Sequence, residues 1–149
     1  MDSAALYSTN GEGCGFGASC SPESPVQSVC PAGWHVPSKD EWLTLKRTTY
    51  PDGYYDPLFN EKPYSGYMLM SGTDRFGFNA IKTGSGWARD IEYGSPSPVF
   101  YDIKYAQFWS STIDDRPDTS AYVFVLGKDE FEDEEHFRNM LYSVRCIKD

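Results

Sequence analysis

The chain has 149 residues, enough for one domain that buries roughly two thirds of the surface its unfolded chain exposes. Aromatics make up 16% of it, with 11 Tyr, 9 Phe and 4 Trp, which argues against intrinsic disorder, and no apolar run approaches the length of a bilayer span. The net charge of −9 repels polyanions, so nucleic acid and direct membrane insertion or binding are set aside as partners.

The opening Met1-Asp2-Ser3-Ala4-Ala5 reads as an internal segment of a larger chain, with no signal peptide in view. Residues 1 to 29 are rich in Gly, Ser, Pro and Cys and are expected to form a disulfide-pinned loop. Four cysteines occur, Cys14, Cys20, Cys30 and Cys146, with no Cys-x-x-Cys pair and no zinc-like spacing to His35 or His136. An even count without metal spacing favours two disulfides in an oxidising compartment. Cys14 and Cys20 flank the short flexible stretch Gly15 to Ser19, which suits local closure and leaves Cys30 for Cys146.

Trp34 to Pro37 is expected to be extended. Ser38-Lys39-Asp40-Glu41 then matches a capping box, so a helix is predicted from Lys39 to Thr48, ending before Tyr50-Pro51. Asp40 and Glu41 complement its positive end, and Lys46 and Arg47 its negative end. Residues 51 to 75 are broken by Pro and Gly and predict mostly loop, with a helical turn near Pro57 to Asn60. Phe76 to Ile81 alternates and predicts a strand, and a loop with Trp87 and Tyr93 follows. Further strands are predicted at Phe108 to Thr112, at the continuous apolar run Ala121 to Leu126, and at Tyr142 to Ile147. Asp114 to Thr119 reads as an acidic loop, and Phe131 to His136 as an exposed acidic edge.

Four segments in register carry a resemblance. They are Cys30-Pro31-Ala32-Gly33-Trp34-His35-Val36-Pro37-Ser38 with Glu41-Trp42, Gly72-Thr73-Asp74 with Phe76 to Ala80, Phe108 to Thr112 with Ala121-Tyr122, and Ser143-Val144-Arg145-Cys146-Ile147. In this order they resemble the Fibrobacter succinogenes major paralogous domain, and more distantly the sulfatase-modifying, formylglycine-generating group. Both resemblances imply an α+β, C-type-lectin-like fold: a small twisted antiparallel sheet, one or two helices, long loops and ends brought together. That closure agrees with the Cys30–Cys146 pairing.

The residues themselves read structurally first. Trp34 and Trp42 are expected as core anchors, and His35 as a hydrogen-bonded structural histidine. The formylglycine-generating enzymes use a late redox-active cysteine pair, whereas Cys146 is the single late cysteine here, so no catalytic residue is assigned. The tripeptides of a calcium-dependent lectin site are missing. Asp114, Asp115 and Asp118 remain candidates for a hard cation such as calcium, against a plain solvated acidic surface. The leading expectation is a non-catalytic binding or adhesion module, secreted or on a bacterial surface, for a carbohydrate or protein ligand. Trp87, Tyr93, Tyr101, Asp114, Asp115, Asp118 and Arg138 are its candidate ligand contacts. The alternatives are a structural or assembly domain of a larger protein and a degenerate sulfatase-modifying enzyme. Non-reducing peptide mapping is expected to recover Cys14 with Cys20 and Cys30 with Cys146; a Cys14–Cys30 peptide would overturn the pairing.

Overall fold

A computed structural model describes residues 22, 24–49, 65–87, 99–101, 104–114, 120–127 and 131–149. The Cys14–Cys20 pair, the turn near Pro57 to Asn60, and Tyr93, Asp115 and Asp118 lie outside the described residues.

The capping box forms as its sequence dictates. The Glu41 N–H donates to Ser38 Oγ at 3.3 Å, and the Ser38 N–H donates to Glu41 Oε2 at 2.8 Å. The helix that follows, α1, spans Lys39–Thr49, one residue beyond the expectation. Its first amide, on Lys39, donates to Thr112 Oγ1 at 2.9 Å, which ties the helix start to the sheet.

Three small antiparallel sheets accompany two helices, an α+β architecture. The main sheet has the order β4 (Ala106–Ile113), β5 (Ser120–Leu126), β6 (Phe131–Phe137). Its central strand explains the unbroken apolar run at Ala121 to Leu126. Ala121, Val123 and Val125 enter one cluster with Val26, Val36, Trp109 and Tyr142. Phe124 and Leu126 enter another with Trp42, Leu69, Phe108 and Phe131. Both faces are buried, so polar alternation has no place in the sequence. Trp42 of α1 lies nearly parallel to Phe124 and Phe108, with ring centroids 5.3 and 5.6 Å away.

The register of β4 shifts between Trp109 and Ile113. Hydroxyls satisfy the backbone there, as expected for this strand end: Ser110 Oγ accepts the Thr112 N–H at 3.0 Å. Strand β6 is an edge, and its acids are not merely solvated. Asp133 and Glu132 pair with Lys39 and Lys46 of α1 at 2.7 and 3.0 Å.

Sequence expectations give way at Phe76 to Ile81, at Tyr142 to Ile147 and at Trp87. Phe76 to Ile81 is a loop, because the Asp74 carboxylate accepts the N–H groups of Phe76, Phe78 and Asn79 that a strand would offer a neighbour. Gly77, at φ +75°, makes the turn. Only Ala80 bridges, to Met70. Within residues 51–75, read as mostly loop, helix α2 occupies Ser65–Leu69 and buries Met68 and Leu69. Tyr142 to Ile147 is not one strand. Ser143 bridges Phe108 in parallel, and only β8 (Ile147–Lys148) pairs regularly, with β1 (Trp34–His35). Trp87, expected in a loop, lies in β2 (Ser85–Trp87), between β3 (Val99–Tyr101) and β7 (Met140–Leu141).

The disulfide Cys30–Cys146 spans 116 positions and sits beside the β1–β8 ribbon. Replacing both cysteines by serine is expected to cost about 5 kcal/mol, the chain-entropy value for so long a loop. Urea unfolding of the double variant measures it, and an unchanged midpoint would contradict it.

Candidate ligand cleft

His35 leaves β1 facing inward, buried to 8% exposure. Its Nδ1 lies 2.6 Å from Asp149 Oδ1 and its Nε2 2.9 Å from Glu41 Oε1. Two carboxylates require two N–H donors, so the ring is an imidazolium. Burial pulls its pKa down, but the hydrogen bonds and charges of Asp149 and Glu41 outweigh this and hold it above the ordinary 6.5. Burial likewise opposes ionisation of Glu41. The Ser38 amide, the Ser38 hydroxyl at 2.8 Å and His35 overcome it and hold Glu41 below the ordinary 4.5. Glu41 is thus a fixed anion with both oxygens engaged, unsuited to general-base work.

Beside this trio opens a cleft of about 270 Å³. Trp42 and Leu45 of α1, together with Phe78, form its apolar wall, and Trp34, Arg145, Ile147 and Lys148 complete it. The Arg145 guanidinium carbon stands 4.4 Å from the Phe78 ring centroid, a stacked cation–π contact. Trp34 is 40% exposed, which corrects its reading as a core anchor; Trp42 alone holds that role, at 2%. The two-residue β1 leaves no second layer to cover Trp34.

A match to the family model of the Fibrobacter succinogenes major domain runs over residues 5–148. The chain belongs to this family. Comparisons with curated proteins and with solved structures return no match.

In this Fibrobacter succinogenes major domain, three of the four segments that carry the resemblance meet at the cleft. Trp34, Glu41 and Trp42 come from the first, Phe78 from the second, and Arg145 to Ile147 from the last. The sequence signal for the site was therefore present, but it was read as packing alone.

Of the residues singled out as ligand contacts, Trp87, Asp114 and Arg138 do not line this cleft. Trp87 is half-buried in β2, opposite Met140 and 6.4 Å from Phe137 between ring centroids. Arg138 follows β6 and is buried at 1%, so it offers no surface to a ligand. Asp114 follows β4 and is buried at 8%. Since Ile113 pairs with Ala121 and Ser120 with Phe137, Asp114 and Arg138 both adjoin one end of the main sheet. Tyr101 lies in β3, and the description there covers the backbone only. Among the described residues no group of three or more His, Cys, Asp or Glu is placed to hold a metal ion.

His136, expected in an exposed stretch, is half-buried and joins a second polar line. The Tyr142 hydroxyl lies 2.7 Å from its Nδ1, and its Nε2 lies 2.7 Å from Glu134 Oε2. Burial, reinforced by the Glu134 charge, pushes the Tyr142 phenol well above its ordinary pKa of 10.0. The phenol keeps its proton, lies edge-on to Trp109 at 4.9 Å, and also approaches Met140 Sδ at 3.2 Å.

The His35 contribution to stability is complete below pH 6.5 and is lost as pH rises through its raised pKa. The Glu41 contribution is complete above pH 4.5 and is lost as pH falls through its lowered pKa. Both are whole between 4.5 and 6.5. An NMR titration is expected to place His35 above 6.5, and thermal unfolding to weaken as pH rises from there through the raised pKa, a slope that His35→Gln removes. A His35 titration at or below the ordinary value would refute the imidazolium assignment.

Proposed function

We propose that this domain is a non-catalytic binding module of the extracellular or bacterial cell-surface kind, with a C-type-lectin-like layout, and that the aromatic cleft is its ligand site. The observation that carries the reading is the convergence of three motif segments on one cleft with an exposed tryptophan at its rim. A flat, half-exposed indole beside polar groups suits the apolar face of a sugar ring. The Cys30–Cys146 disulfide supports a secreted or surface location, where such bonds persist. Engagement of Cys146 in that bond and of both His35 nitrogens by carboxylates supports a role without catalysis, since neither is free to act as nucleophile or base.

A glycan array and a cellulose and hemicellulose pull-down, each with and without calcium, test the reading. Wild-type protein is expected to retain a carbohydrate class, and Trp34→Ala to lose about tenfold in affinity, ~1.4 kcal/mol, with its unfolding midpoint kept. Flat results for wild type on both would shift the assignment to an assembly domain, a reading that the exposed Ile81 and Phe137 would then serve.

A further inference from the structure

We infer that the cleft selects an acidic sugar, a pyranoside bearing a carboxylate, over its neutral counterpart. The inference rests on the carbohydrate-binding reading and adds the charge of the ligand. The chain as a whole is strongly acidic at −9, yet the cleft is not. It carries Arg145 and Lys148, and His35 lies directly behind it as an imidazolium. The two carboxylates there, Glu41 and Asp149, are both committed to His35, and Glu41 to Ser38 as well. Three positive groups thus face two negative ones, a net of one positive charge, and Arg145 and Lys148 are the cations not paired with a carboxylate.

Neither Arg145 nor Lys148 takes part in a salt bridge or a side-chain hydrogen bond, whereas Lys39 and Lys46 are both matched to carboxylates of β6. Lys148 is exposed, so water solvates it, but Arg145 is half-buried. Its guanidinium lies over the Phe78 ring at the cleft wall, where a ligand can reach it. Its five N–H donors remain without protein acceptors, in the fork geometry that matches a carboxylate bidentately. The antiparallel register sets Trp34 directly opposite Lys148, so the two side chains stand on one face of the ribbon. An apolar ring face on Trp34 and a carboxylate between Arg145 and Lys148 would occupy the cleft together. Its volume of about 270 Å³ suits one sugar ring more than a long segment.

The test pairs galacturonic acid oligomers with the same oligomers methyl-esterified, which removes the charge and keeps the ring. Calorimetric titration of the wild-type domain is expected to favour the acid by about tenfold, with the preference shrinking as salt screens it. Arg145→Gln is expected to abolish the preference, and Arg145→Lys to restore only part of it, because the ammonium lacks the fork. Lys148→Gln, at an exposed position, keeps the test open if the Arg145 variants do not fold; it should lower the preference with the fold intact. Trp34-dependent binding of both forms with equal affinity would overturn the charge inference and leave the sugar-binding reading standing. Equal binding of poly-glutamate would reduce it to unspecific attraction and overturn it as well. Failure to bind these oligomers together with any array glycan would overturn both.

Discussion

The side chains of β5 alternate between two apolar clusters, and neither cluster can be left in water. On one side α1 and α2 close over the strand, with Trp42 laid across Phe108 and Phe124. On the other, no helix lies among the described residues. Cover comes instead from irregular segments: Val26, Cys30 and Val36 from before α1, and Tyr142 to Cys146 from the end of the chain. Such segments lack the internal hydrogen bonds that make a helix rigid, so something else must hold them. The Cys30–Cys146 bond and the β1–β8 ribbon do so by joining the two covers to each other.

Electrostatics strengthens the same junction. Glu41 belongs at once to the cap of α1 and to the bridge through His35 to Asp149. A local helix signal is thereby coupled to the last residues of the chain. The register of the ribbon follows from it, since a one-residue slip would turn His35 away from both carboxylates and place Trp34 between them. The cleft is a by-product of this closure: it lies where the helix, the Phe78 loop and the ribbon meet without filling the space between them.

What was legible in the sequence was what is decided locally or by composition. The capping box fixed the start of α1 because its donors and acceptors lie three residues apart. The β5 run was legible because double burial leaves no other composition available. The loop at Phe76 to Ile81 was misread because apolar alternation looks the same whether a neighbouring strand or the Asp74 carboxylate takes the amides. The exposure of Trp34 and the burial of Arg138 were not legible at all. Both depend on what lies on the far side of a pairing set by distant residues, and residue type alone points the opposite way for each. Reading the motif segments as packing hid the cleft, although the same residues do both.

The acidic edge strand has a further consequence for how copies of the domain behave toward each other. Among the described residues strand β6 has β5 on one side only, and an open edge invites another strand. Glu132, Asp133, Glu134 and Glu135 run along it in succession. Two of these acids are spent on the lysines of α1, while Glu134 and Glu135 remain exposed. A second copy approaching edge to edge would bring the same four charges against their own kind. The run that fastens the helix to the sheet therefore also discourages a second copy from extending the sheet.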